Sequence, residues 1–251
     1  MTRVIMHGCN GRIGQTITSL LDKDEDMKIV AGVDKFDEGK NSYPVFASID
    51  DCEPEADVII DFSVAGAVDG MIRHAINRNL PVVLCTTGLS EDQLDMVNDA
   101  SARIPILRSA NMSLGVNLLI KLVTEAAAAL EPAGFDIEIV EKHHRHKLDA
   151  PSGTALALAE AANAGLSEDY EYVYDRTGRR MERPRAEIGI SAVRGGSIVG
   201  DHDVILAGTD EVITLSHTAY SRTVFAKGAI QAARFLCGRE PGMYGMKDVI
   251  G

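Results

Sequence analysis

The feature that most restricts the fold of this chain is a glycine-rich turn near its start, GCNGRIG, with glycines at positions 8, 11 and 14. Residues 3–7 ahead of it alternate into a short apolar strand, and Ile13, Ile17, Leu20 and Leu21 after it recur at helical spacing. A glycine turn between a strand and a helix is a position where backbone N–H groups and the helix dipole can receive a pyrophosphate. In such a turn Gly8 permits the tight bend, Gly11 a close phosphate approach, and Gly14 close packing of helix on strand. A second strand, over 27–33, ends at Asp34, 20 residues beyond Gly14, where a carboxylate can accept hydrogen bonds from ribose hydroxyls. The G-x-x-G-x-x-G spacing differs from the commonest G-x-G-x-x-G form, and a glycine turn alone is compatible with a purely structural role. Strand, helix and acid together favour dinucleotide binding. Lys35 has two readings, a cation for the 2′-phosphate of a phosphorylated cofactor or a solvated surface lysine.

Strands predicted over 56–63, 81–87 and 104–108 alternate with helices over 65–78 and from Ser90 onward. That alternation implies an α/β chain whose N-terminal part is a Rossmann-type parallel, doubly wound sheet. The pattern changes after Ser113. A helix over 115–130, a strand over 136–140, a charged loop and a helix over 152–164 are followed by a polar excursion over 170–185. From 186 to 217 strands follow one another across glycine turns, which favours antiparallel pairing, and a last helix spans 222–236. The expected organisation is a dinucleotide-binding domain of residues 1–112 plus 222–251. A second α+β substrate domain, residues 113–221, contains a mixed or antiparallel sheet.

Composition narrows the partners. Hydrophobic residues make up 45% of the chain, enough for a sizeable core, but no run reaches the roughly 20 apolar residues of a membrane helix. Lys121 and Glu125 interrupt the most apolar stretch, over 118–130. The N-terminal MTRVIMHG has no apolar region or cleavage site of a signal peptide. Cys9, Cys52, Cys85 and Cys237 form no C-x-x-C pair, so neither a zinc site nor a redox motif is expected, and isolated thiols point to a reducing cytoplasm. A net charge of −12 with no Trp opposes nucleic-acid binding and favours a small-molecule partner. Attraction for an anionic substrate must then come from a local cluster.

Such a cluster exists at EKHHRHKLDAPSGTAL, where His143, His144, Arg145, His146 and Lys147 precede Asp149, Pro151, Ser152, Gly153 and Thr154. A charged run of this kind can be a solvated face. A metal site lacks support from cysteine or from histidines at helical spacing, so no metal is expected. The substrate-site reading draws on the second half. Ser152 is a good N-cap, Gly153 and Thr154 place N–H groups at a helix start, and Lys147 with the histidines adds positive charge. One loop thus joins a carboxylate receptor to proton donors that titrate near neutrality.

This run closely resembles the signature of the 4-hydroxy-tetrahydrodipicolinate (dihydrodipicolinate) reductase family. GCNGRIG, DFS, CTTG and SANMSLGVN are similar to that family's other motifs, in the same order. The resemblance covers essentially the whole chain. It implies reduction of a cyclic dicarboxylate by NADH or NADPH in lysine and diaminopimelate biosynthesis, and a homotetramer built through the second domain's sheet. It implies His143 as proton donor and acceptor, Lys147 as a second proton donor, and His144, Gly153 and Thr154 as substrate ligands. Cofactor contacts would come from Gly8, Cys9, Asn10, Gly11, Arg12, Ile13, Asp34 and Lys35. Cys85, Thr86, Thr87, Ser109, Ala110, Asn111 and Met112 would complete them. Two departures stand out: Cys85 replaces the first glycine of a turn that usually begins GTTG, and the Asp34-Lys35 pair leaves cofactor preference open. The competing functions are another dehydrogenase of the aspartate pathway, one type of which needs a nucleophilic cysteine for which Cys85 could be mistaken although no activating histidine is near it in sequence, and a non-catalytic cofactor sensor.

Overall fold

The computed structural model of the chain describes residues 1–174 and 176–251, so one position of the 170–185 excursion lies outside the described residues. In chain order the first elements are β1 (Thr2–His7), α1 (Arg12–Leu21), β2 (Met27–Val33), β3 (Val45–Phe46), β4 (Val58–Asp61), α2 (Ala65–Arg78), β5 (Val82–Leu84), α3 (Glu91–Ser101) and β6 (Pro105–Arg108). Next come α4 (Leu114–Leu130), β7 (Asp136–His143), α5 (Gly153–Ala164), β8 (Glu171–Val173), β9 (Glu187–Arg194), β10 (Gly200–Ala207) and β11 (Val212–Ala219). The chain ends with α6 (Thr223–Leu236), β12 (Gly242–Tyr244) and α7 (Met246–Ile250). These elements form two compact units, Met1–Leu114 with Thr223–Gly251, and Gly115–Arg222.

The first unit is built on a seven-stranded sheet ordered β12-β6-β5-β4-β1-β2-β3, parallel at every pairing. From β3 inward this is the strand order 3-2-1-4-5-6 of dinucleotide-binding sheets, with β12 added at the far edge. Its strands are apolar on both faces because helices cover both. Ile17, Leu21, Ala226, Ala229 and Leu236 pack on one face, and Val68, Met71, Ile72, Val97 and Ala100 on the other. Ser90 caps α3 in a reciprocal capping box with Gln93. The chain's path reverses between β1 and β4, and ligands of such sheets bind beyond the strand ends at that point.

The second unit carries a five-stranded sheet ordered β11-β10-β7-β9-β8. Residues of α4 and α5, among them Leu119, Val123, Leu158 and Ala162, cover one face over Ile137, Ile139, Ile188, Ile190 and Val204. The predicted run of antiparallel strands is only half right. β10 pairs antiparallel with β7 and β11, while β9 pairs parallel with β7 and β8. Consecutive β9 and β10 are not neighbours, because β7 lies between them. The linker 195–199 steps over the end of β7, a short distance at about 4.8 Å per strand spacing.

Two further expectations change. The predicted strand over 136–140 continues to His143, so His143 sits on a strand end and not in a loop. Inward positions 137, 139, 141 and 143 are all buried, and hydrogen bonds compensate the polar ones. The excursion over 170–185 contributes an edge strand, β8. Like β3 and β12, it is too short to leave a periodic signature, whereas β5, also of three residues, lies within an apolar run that the sequence shows.

Candidate active site

The glycine turn lies at the reversal point of the first sheet. Gly8 adopts φ +81°, and a Cβ there would lie 2.5 Å from the Phe62 carbonyl oxygen. A Cβ on Gly14 would lie 2.3 Å from the Gly8 carbonyl oxygen. Both positions therefore require glycine, and what Gly14 packs against is the turn itself. The predicted use of the turn's N–H groups needs correction. Gly8 and Cys9 N–H donate to the Val33 carbonyl, Gly11 N–H to the Gly8 carbonyl, and Asn10 N–H to Asp34 Oδ2 at 2.8 Å. Helix geometry leaves the N–H groups of the first turn of α1, beginning at Arg12 and Ile13, without partners in the helix ladder. That helix opens at Gly11 with no side-chain cap and no acidic residue in its first turn.

A cleft of about 600 Å³ runs beside this turn, lined by Gly8, Asn10, Gly11, Asp34, Lys35 and Phe62 among others. A smaller one, about 170 Å³, is lined by Phe62, Cys85, Ser109, Ala110, Asn111 and Met112. The two share Phe62, so most of the sequence-predicted cofactor residues gather along one edge of the sheet. Cys9 does not: its side chain is buried in the core, and burial with nearby Asp34 pushes its thiol up to about 12. Thr86 is buried, with Oγ1 3.4 Å from Ser63 Oγ, and Thr87 is exposed. Bare backbone, an uncapped helix start and an acid at the end of β2 fit a dinucleotide.

In the second unit Ser152 caps α5, its Oγ accepting the Ala155 N–H at 3.2 Å. Gly153 and Thr154 precede that bond in the first turn, and a Cβ at Gly153 would meet nothing within 4 Å. His143 closes β7 with Nδ1 2.6 Å from Glu141 Oε2. The other Glu141 oxygen accepts the Ser152 N–H at 3.0 Å, so one carboxylate joins the strand end to the helix start. Lys147 follows in a turn with its N–H on the His144 carbonyl, and its Nζ pairs with Asp149 at 2.9 Å. The Lys147 ammonium holds the Asp149 carboxyl below its usual range. His144 Nδ1 is buried with no partner among the described residues. The structure therefore gathers His143, Gly153 and Thr154 around Glu141, with His144 and Lys147 in the adjoining turn.

Three residues of this cluster escape sequence reasoning: Glu141, Arg194 and His202. Arg194 places Nη1 and Nη2 each 2.7 Å from the Glu141 oxygens. His202 lies edge-on to His143, with ring centroids 5.2 Å apart, and its Nε2 is 3.1 Å from Ser152 Oγ. Burial and the neighbouring His143 push His202 down to about 4, so it is neutral at physiological pH. One signal was available: charged residues at 141 and 143 continue the inward parity set by Ile137 and Ile139. Among the described residues no group of three or more His, Cys, Asp or Glu is arranged to hold a metal ion, and no helix is long and apolar enough to cross a membrane.

Comparisons with known proteins agree with this architecture. Residues 2–112 match the family model described as dihydrodipicolinate reductase, N-terminus, and residues 115–250 the one described as dihydrodipicolinate reductase, C-terminus. A 4-hydroxy-tetrahydrodipicolinate reductase of Caldanaerobacter subterraneus subsp. tengcongensis is 54% identical over 250 residues, covering 100% of this chain and 98% of the relative. One from Clostridium novyi is 47% identical with the same coverage. The solved structure of dipicolinate-bound dihydrodipicolinate reductase from Paenisporosarcina sp. TG-14 superposes with a TM-score of 0.83 at 26% identity, covering 99% of each chain. With both family models matched end to end and a relative more than half identical, this chain belongs to the dihydrodipicolinate reductase family.

Proposed function

We propose that this oxidoreductase catalyses the NAD(P)H-dependent reduction of 4-hydroxy-tetrahydrodipicolinate to tetrahydrodipicolinate, in lysine and diaminopimelate biosynthesis in the cytoplasm. The first unit is the dinucleotide-binding domain and the second the substrate-binding and oligomerisation domain. The observation that carries this reading is the Glu141-centred cluster: an imidazole, a cationic turn and the Ser152-capped start of α5 held together in a chain of this family.

When bound, the nicotinamide supplies the hydride. The chain's own residues bind and protonate. Gly153 and Thr154 N–H, at the positive end of α5, receive a substrate carboxylate. His143 and Lys147 place positive charge where negative charge develops and supply the proton, each worth about 10²–10⁴-fold. His144, with a buried ring nitrogen unpartnered among the described residues, is a substrate ligand.

The cofactor is held by the first turn of α1 from Arg12 and Ile13 and by the segment Ser109, Ala110, Asn111 and Met112, with Gly8, Asn10 and Gly11 lining the cleft as contact surface. Asp34 takes ribose hydroxyls, which favours NADH modestly while NADPH is still used. The homotetramer is supported by the open face of the second sheet. Register places Val140, Val193, Ile205 and Val212 on that face, and Val212 is 60% exposed.

A cysteine-dependent dehydrogenase fits less well. Cys85 is buried, and burial followed by nearby Asp61 raises its thiol far above the usual range, which makes it a poor nucleophile at neutral pH. The deciding experiment follows oxidation of NADH and NADPH with substrate freshly formed by the preceding synthase. Turnover with either cofactor supports the reading. Cofactor binding without turnover would favour a sensor instead.

A further inference from the structure

The Glu141 carboxylate is 0% exposed and meets four nitrogens. Oε2 lies 2.6 Å from His143 Nδ1 and accepts from Arg194 Nη1 at 2.7 Å; Oε1 accepts from Ser152 N–H at 3.0 Å and Arg194 Nη2 at 2.7 Å. A carboxylate has about four lone-pair positions, so this one is saturated. Burial alone would raise its pKa, but the bonds from Arg194, His143 and the Ser152 N–H outweigh burial and hold it below the usual range. Ionised, it has no proton to give. The hydrogen on the short bond to His143 therefore belongs to Nδ1.

That assignment decides what the other ring nitrogen does. In the neutral imidazole Nε2 carries the lone pair, and in the imidazolium Nε2–H is the donor. His202 does not take the place of Glu141: its Nε2 lies against Ser152 Oγ, and its Nδ1 has no hydrogen-bond partner among the described residues. Gly200 on β10 leaves room for the ring in this pose, because a Cβ there would lie 3.0 Å from Nε2.

We infer that Glu141 is a positioning residue for His143. One oxygen fixes the imidazole in the tautomer that presents Nε2 for proton exchange, and the other ties it to the Ser152 N–H at the start of the substrate-clasping helix. Arg194 holds Glu141 ionised and immobile for that task. The inference rests on the proton-transfer role proposed for His143. A Glu141 that served only to neutralise Arg194 would leave the imidazole free to adopt either tautomer.

Glu141→Gln tests this. Its amide oxygen can still accept the Ser152 N–H, while its NH2 group faces Nδ1 and favours the opposite tautomer. The expected result is a kcat lower by roughly 10²-fold or more with KM for the dicarboxylate within about threefold. The ¹⁵N spectrum of neutral His143 should move from the Nδ1–H to the Nε2–H form. On a His143→Ala background, Glu141→Gln should cost nothing further, because its effect passes through the missing ring. If His143→Ala is impaired and Glu141→Gln keeps full kcat, the positioning role is wrong and the proton-transfer role stands. If His143→Ala itself keeps full kcat, the underlying reading fails. Should Glu141→Gln not fold, the wild-type ¹⁵N spectrum decides: Nδ1–H supports the inference and Nε2–H overturns it.

Discussion

Asp34 carries two jobs. Oδ2 accepts the Asn10 N–H and Oδ1 the Lys35 N–H, both at 2.8 Å, so the acid that lines the cleft proposed for the cofactor also shapes the glycine turn. Charge-assisted bonds to ribose hydroxyls are worth about 1.5–3 kcal/mol. Lys35, whose Nζ lies 5.5 Å from the Phe36 ring centroid, would give an exposed pair with a 2′-phosphate worth about 0.2–1 kcal/mol. Lys35→Ala should therefore raise KM for NADPH and leave that for NADH nearly unchanged. Asp34→Ala should weaken both cofactors through the turn, and NADH more. A wild-type preference for NADPH beyond about tenfold, roughly 1.4 kcal/mol, would contradict this balance. For the chemistry, His143→Ala and Lys147→Ala should each lower kcat by roughly 10²-fold or more while cofactor affinity stays near wild type. Steady-state kinetics with cofactor binding measured separately would reveal a binding role instead.

At the scale of elements, the substrate reading depends on α5 starting where it does. Ser152 is the hinge of that start: it caps the helix, its N–H holds Glu141, and its hydroxyl meets His202. Ser152→Ala keeps the N–H but loses the cap, at a cost of about 1 kcal/mol. The variant should fold with a lowered unfolding midpoint, and KM for substrate should rise more than kcat falls. An unchanged midpoint would remove the cap from the argument. The same helix start predicts inhibitor preference. Pyridine-2,6-dicarboxylate should compete with substrate, and a monocarboxylate analogue should bind markedly less well. Equal inhibition constants would show that the second carboxylate finds no partner.

For the whole molecule, buried histidines set an acid limit. His202 takes a proton at about pH 4 in the folded chain but near 6.5 once unfolded. Between those values the unfolded state binds the extra proton, so stability falls as pH falls, by up to about 1.4 kcal/mol per pH unit. Above about pH 6.5 this contribution is constant, and by pH 4 the loss is on the order of 3 kcal/mol. His74 and His217 are shifted down by burial in the same direction, and Glu141 and Asp203, held low by their partners, add to the loss at more acid pH. Urea midpoints of the wild type should drop from pH 6.5 to 4, and His202→Asn should flatten part of that slope. A slope identical in both would locate the acid sensitivity elsewhere.

Much of the fold and of the site is legible in the amino-acid sequence alone. The turn at Gly8, Gly11 and Gly14, the helix Ala65–Arg78 and the cap at Ser152 are set by neighbours a few residues apart, so their patterns survive in one dimension. The resemblance carried by the 143–154 signature points to the chemistry. What the linear pattern conceals depends on partners far apart. Glu141 meets Arg194 from 53 residues away, and Ser152 meets His202 from 50. β7 enters between β9 and β10 although they are consecutive, and Asp34 and Val33 take the N–H groups that the glycine turn was expected to offer. Local hydrogen bonding and periodicity decide which elements form. Only the order in which strands pair decides which charges are buried together, because desolvated groups must find donors wherever the fold brings them.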